Sequence, residues 1–135
     1  MAGYSKTPLV KKLGIKEGYK IRLINAPDNY LELLGALPKE VEILEETTQL
    51  VNFIHLFAKD IATFEAYIFE LEKSIERDGL IWVSWYKKAS KIPTDLTEYY
   101  VRDTILSTTK LVDTKKCAVD EKWSGLKFMI RKEYR

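Results

Sequence analysis

Lys87, Lys88, Ser90 and Lys91 follow directly on seven residues, LIWVSWY at 80–86, that carry no charge. Ammonium groups and a hydroxyl gathered on one short loop are the chemistry that holds a phosphate or a carboxylate. A few residues on, Asp95-Leu96-Thr97-Glu98 has the pattern of a capping box. The first amides of a helix starting near Thr97 would add donors to the same anion grip. The simpler reading of the three lysines is a solubilising loop rim.

Other residues with chemistry to offer stand further apart. His55 has the side chain that titrates nearest neutrality and so suits a general base. It lies between Phe53 and Phe57, with no Ser, Cys or carboxylate at a local catalytic spacing, which reads as a core histidine. Cys117 has Lys115 and Lys116 beside it, which would favour a thiolate; a strand cysteine without a motif is more often buried and inert. Trp82 and Trp85 belong to the apolar run and read as core. Trp123 falls in a turn-like stretch, residues 120–125, where an indole is free to stack on a ligand ring. No HExxH, GxSxG or Walker loop is present.

The elements that must position these groups are those of an α/β sheet. The run 80–86 is apolar on both faces, with Leu80, Trp82, Ser84 and Tyr86 on one and Ile81, Val83 and Trp85 on the other. Such a strand belongs in mid-sheet with helices above and below. Asp78-Gly79 before it reads as a turn in which Gly79 takes the left-handed conformation after a helix. Ligands of parallel sheets bind beyond the carboxyl ends of the strands, which is where the lysine loop emerges.

Taking the chain in order, Thr7-Pro8 opens a short helix at 8–13 that Gly14 ends. A first strand spans 19–24, and Asn25-Ala26-Pro27-Asp28 follows it, leading to a helix at 28–34 closed by Gly35. A cofactor turn at this place would be rich in glycine so that the backbone could approach its ligand. Here it has no glycine, Pro27 removes an amide donor, and Asn25 offers a side chain. A second strand at 41–44 ends in Glu45-Glu46, where such folds hold a ribose hydroxyl; a solvated turn is the plainer reading.

A third strand at 51–57 comes only six residues later, too soon for a helical crossover. A loop returning to the far side of the first strand is preferred over an antiparallel pair. Asp60 caps a helix at 61–76, with Ile61, Phe64, Ile68, Leu71 and Ile75 on its inward stripe. A helix at 97–110 turns Val101 and Ile105 inward. Strands at 111–119 and 126–131 around the turn 120–125 form a terminal hairpin.

Composition bounds the class. The chain has 135 residues, 46% of them hydrophobic, and few prolines or glycines, consistent with one globular domain. One cysteine rules out an internal disulfide and any CxxC metal site. No apolar run reaches membrane length and MAGYSKTPL lacks a signal-peptide core, so a cytoplasmic location is expected. The net charge of +2 is uneven: residues 1–22 carry +5, residues 23–78 carry −8 and residues 79–135 carry +5. A basic C-terminal part suits an anionic partner, but no RNA-binding or helix-turn-helix pattern supports nucleic acid.

The order of elements, with TPLVKKLGI, LINAP, KKAS, DLTE and CAVDEKWSGLKF, resembles a family of small bacterial proteins of unknown function with a class I methyltransferase-like, Rossmann-like fold. The resemblance covers nearly the whole chain. Tyr86 departs from the proline common before the two lysines in that family, and Tyr99 from the acidic residue common after DLTE. The resemblance implies a three-layer, mostly parallel sheet with helices on both faces and an antiparallel C-terminal hairpin, like a truncated methyltransferase.

The family lends no activity. The expected function is therefore a non-catalytic binding or regulatory module for an anionic small molecule or a protein partner. Its expected ligand-binding residues are Asn25, Lys87, Lys88, Ser90, Lys91, Thr97 and Trp123, with no catalytic residue and no metal. The glycine-free turn disfavours S-adenosylmethionine. The alternative is an atypical S-adenosylmethionine-dependent methyltransferase in which Asn25 and Glu45 stand in for the glycine loop.

Overall fold

A computed structural model describes residues 8–44 and 49–135. Six strands form one sheet in the order β2-β1-β3-β4-β6-β5. They are β1 (Lys20–Ile24), β2 (Glu42–Leu44), β3 (Val51–Phe57), β4 (Ile75–Tyr86), β5 (Leu111–Ala118) and β6 (Trp123–Ile130). The first four run parallel, and β6 is antiparallel to both β4 and β5. β3 pairs with β1 on the side away from β2, so the direct return expected after the second strand is the observed one. Thr7 and the Glu45-Glu46 pair lie outside the described residues.

The sheet is covered on both faces. Helices α3 (Ile61–Ser74) and α4 (Glu98–Thr108) pack on one side, where Phe64, Ile68, Leu71, Val101 and Ile105 meet Ile54, Leu56, Ile81, Val83 and Phe128. The short helices α1 (Leu9–Leu13) and α2 (Tyr30–Leu34) cover the other, where Val10, Leu13, Tyr30 and Leu34 meet Ile21, Phe53, Phe57 and Trp82. β4 has the two apolar faces expected of it and sits between β3 and β6. The Asp60 cap holds as well, whereas the capping box at 95–98 does not form, because α4 starts at Glu98 with Thr97 as its cap and Asp95 bonds the Ile61 amide instead. The Asp60 carboxylate accepts from the Thr63 amide at 2.8 Å, and the Thr97 hydroxyl from the Tyr100 amide at 3.1 Å.

Three other local expectations change. α2 starts at Tyr30 rather than Asp28, so it is only five residues long. Gly79 is not a left-handed turn residue: α3 ends at Ser74 and β4 begins at once with Ile75. Between Val51 and Phe53 the pairing on β4 jumps from Ile75 to Leu80, so three extra residues bulge out there. Glycine is needed because a Cβ at 79 would come within 2.6 Å of the Ile75 side chain and 3.0 Å of the Asn52 carbonyl. Third, Trp123 belongs to β6 and not to the hairpin turn. The turn is tighter than expected because Asp120 Oδ1 accepts from the Lys122 and Trp123 amides and Val119 N–H bonds the Trp123 carbonyl.

Among the described residues no helix is long and apolar enough to cross a membrane.

Candidate functional site

β1 sends its chain toward β2 while β3 lies on its other side, so the connections diverge above the carboxyl ends of β1 and β3. A crevice opens at such a switch point. Here it is a cleft of about 1380 Å³, large enough for a nucleoside-sized ligand. Phe57, Tyr86 and Trp123 line it from the strand ends. Asn25, Ala26, Pro27 and Asn29 contribute from the β1–α2 turn, and Ala62, Thr63, Ala66 and Tyr67 from the first turns of α3. Lys12, Lys59 and Lys122 face it together with Asp120 and Glu121.

The aromatic residues are held by one another. Tyr86 stacks on Trp123 with centroids 4.3 Å apart, and Phe57 meets Trp123 edge-on at 5.0 Å. Trp123 is 7% exposed, so it is core on one side and lines the cleft on the other.

The β1–α2 turn has a backbone feature that the residue types hide. Asn25 has φ 58°, the left-handed region that glycine enters without penalty and asparagine more readily than most residues. A glycine-free turn thus still makes the sharp bend. Pro27 offers no amide there, and the Asn25 and Asn29 side chains are exposed on this wall.

The lysine loop borders the cleft without lining it, between the cleft residues Tyr86 and Ile92 and with the Lys87 amide donating to the Lys122 carbonyl at 3.0 Å. Lys87, Lys88, Ser90, Lys91 and Thr97 are not among the residues lining the cleft, whereas Asn25 and Trp123 are. The loop forms a short 3-10 turn, Lys88–Ser90, that Lys91 closes at φ 60°. Within it the Ser90 hydroxyl donates to the Lys87 carbonyl at 2.6 Å and accepts from the Ile92 amide. The Thr97 hydroxyl is used as the cap of α4, and Leu96 N–H is taken by the Thr94 hydroxyl. Asp95 reaches across to accept from the Ile61 amide at the start of α3. The donors expected near Thr97 are thus partly used within the fold.

The lysines that do face the cleft were missed. Lys59 and Lys122 had a positional signal, following the third strand and lying in the hairpin turn; Lys12 had none until α1 folded onto the sheet.

His55 is fully buried with both ring nitrogens bonded, Nδ1 to the Tyr30 hydroxyl and Nε2 to the Ser84 hydroxyl, each at 2.8 Å. Burial pushes its pKa down to about 3, so the ring is neutral. The core reading of His55 holds, with two partners that no local spacing revealed. Cys117 is half-buried, and burial pushes its thiol up despite Lys12, Lys115 and Lys127 nearby, so it is not an activated thiolate. In the basic C-terminal part, Arg102 pairs with Glu98 at 2.9 Å and Asp113 at 3.1 Å, and Lys116 pairs with Glu98, so part of its charge is neutralised.

A six-stranded sheet of this order with a cleft over the β1–β3 switch point defines a methyltransferase-like Rossmann fold. Solved structures show the same. The chain is similar to a ribosomal protein L11 methylase from Lactobacillus delbrueckii subsp. bulgaricus, with TM-score 0.60 and 10% identity over 91% of this chain and 75% of that one. It is also similar to a SAM dependent methyltransferase from Aquifex aeolicus, with TM-score 0.59 and 16% identity over 91% and 88%. DhpI in its complex with SAH gives TM-score 0.57 and 7% identity over 91% and 81%. At these identities the likeness is one of fold. Neither a family model nor a curated protein sequence matches the chain.

Proposed function

We propose that the switch-point cleft binds S-adenosylmethionine and that the chain is an atypical methyltransferase. The observation that carries this is the coincidence of fold and cleft. Two solved neighbours of this fold are named as a methylase and a SAM dependent methyltransferase, a third, DhpI, is in complex with SAH, and the cleft opens at the carboxyl ends of β1 and β3. S-adenosylmethionine, when bound, supplies a methyl group on a sulfonium that leaves as a neutral thioether.

The residues present fit such a ligand in three respects. Asn25 gives the turn its left-handed bend without glycine. Ala26, Ala62 and Ala66 leave room between the walls, and the half-buried Tyr86, backed by Trp123, offers a ring that attracts a cation or stacks on a base. Lys12, Lys59 and Lys122 supply positive charge for a carboxylate. In this reading Asn25 and Asn29 hold the ligand by side chain where a glycine loop would use amides.

The turn also favours a second reading. Pro27 and the five-residue α2 remove the usual main-chain grip, which suits a module that binds without turnover. The Lys87, Lys88, Ser90 and Lys91 rim would then meet an anionic small molecule or a protein partner.

Thermal unfolding with S-adenosylmethionine and S-adenosylhomocysteine decides the first step, because a ligand selective for the folded state must raise the Tm. A saturable rise with both supports the cleft assignment; no rise at millimolar ligand refutes it. Transfer of a labelled methyl group to acceptors in an extract then separates enzyme from binding module.

A further inference from the structure

Tyr30, His55 and Ser84 make one continuous hydrogen-bonded chain through the buried layer between α2 and the sheet. Each comes from a different element: Tyr30 opens α2, His55 is mid-β3 and Ser84 is on β4. Ser84 and His55 stand at the distance of a nucleophile and its base, but their exposure is 0% and that of Tyr30 is 2%, so no substrate reaches the serine. Either neutral tautomer of the ring is fully satisfied, because both hydroxyls can donate or accept.

Its position gives this sealed network a task. Tyr30 directly follows the 25–29 turn that forms one wall of the cleft. α2 has only five residues, too few to be stable from its own hydrogen bonds, and its buried anchors are Tyr30 and Leu34. The His55 ring lies flat on Phe57 at 4.2 Å, and Tyr30 meets Phe57 edge-on at 5.4 Å. Phe57 is itself a cleft residue in contact with Trp123. One network therefore touches both the wall and the floor.

We propose that Tyr30, His55 and Ser84 are positioning residues that hold the β1–α2 turn and the Phe57 ring in the ligand-binding geometry. They do by side-chain bonding what a glycine-rich turn and a long helix do in other nucleotide-binding folds. The inference rests on the reading of the cleft as an S-adenosyl ligand site.

The test uses Tyr30→Phe, which keeps the ring and removes only the hydroxyl, with Ser84→Ala at the far end if that variant folds poorly. The control is Ile105→Val or Ile105→Ala, in the opposite core layer, chosen to match the loss of Tm. Amide hydrogen exchange in the ligand-free protein reads the wall directly, since Tyr30, Leu33 and Gly35 donate to Pro27, Asn29 and Leu31. Exchange there is expected to quicken at least tenfold in Tyr30→Phe beyond the control. The Kd of S-adenosylhomocysteine by calorimetry is expected to rise at least tenfold, against less than twofold in the control.

Exchange equal to the control, or quicker exchange with an unchanged Kd, overturns the positioning role. Failure of the wild-type protein to bind S-adenosylhomocysteine overturns the ligand assignment instead, and the exchange arm still decides whether the network holds the wall.

Discussion

The indole N–H of Trp82, in the middle of the sheet, donates to the main-chain carbonyl of Leu13 at 2.8 Å. Leu13 ends α1, and the last carbonyls of a helix have no partner within it. Gly14 follows at φ 86° and turns its own amide back to the helix. The bond from Trp82 helps fix where α1 docks, together with those from Lys12 to the Ala118 carbonyl and from Lys115 to the Lys12 carbonyl. Trp82→Phe leaves that carbonyl buried without a donor, at a cost of ~1–3 kcal/mol before any loss of packing. Urea unfolding measures this; a variant as stable as the wild type would show that water reaches Leu13.

His55 makes stability depend on pH. Its folded pKa, about 3, lies below its ordinary 6.5, so between these values the unfolded chain binds a proton that the folded chain refuses. Stability is therefore full above pH 6.5 and falls as pH drops toward 3, by up to roughly 1.4 kcal/mol per pH unit. His55 is the only histidine, so the slope between pH 6.5 and 5 is largely its own. Urea midpoints over that range should fall in the wild type and fall much less in His55→Gln. Equal slopes in the two proteins would contradict the burial argument.

Asn25 distinguishes backbone need from side-chain need. Its left-handed φ costs an alanine about 1–2 kcal/mol and a glycine nothing. Asn25→Ala is expected to be destabilised by that amount, and Asn25→Gly to stay near the wild type in stability. If Asn25 also grips the ligand by its carboxamide, both variants bind S-adenosylhomocysteine more weakly. Tight binding by Asn25→Gly would leave the residue a purely conformational role.

The two sets of lysines give opposite expectations. Lys59 and Lys122 line the cleft and Lys87 and Lys88 do not, so only the first pair should matter to a ligand there. Lys59→Ala with Lys122→Ala is expected to reduce the thermal shift with S-adenosylmethionine, while Lys87→Ala with Lys88→Ala leaves it unchanged. Both should fold, since exposed charges away from special features contribute little to stability. A reversed result would move the site to the loop after β4.

Ala62 offers a steric test of the cleft. It is exposed on the first turn of α3 and faces the open space, so Ala62→Trp fills the cleft without entering the core. Loss of the ligand-induced Tm rise with an unchanged ligand-free Tm is the expected outcome.

What the sequence determined by itself was whatever a short window can encode. The apolar faces of residues 80–86 placed that strand in mid-sheet, the 3.6-residue stripe of Phe64, Ile68 and Leu71 turned α3 inward, and Asp60 capped its helix. Each of these depends on neighbours within a turn or two, so spacing reveals it. Gly79 and Trp123 misled because glycine and a turn-like stretch are ambiguous until the partner strand is present; only the pairing of β3 with β4 and of β5 with β6 resolves them. The tertiary structure alone decided that His55 meets Tyr30, 25 residues before it, and Ser84, 29 residues after it. It also decided which lysines face the cleft. Those choices follow from strand register and helix docking, which are set by packing of the whole core and leave no mark at any local spacing.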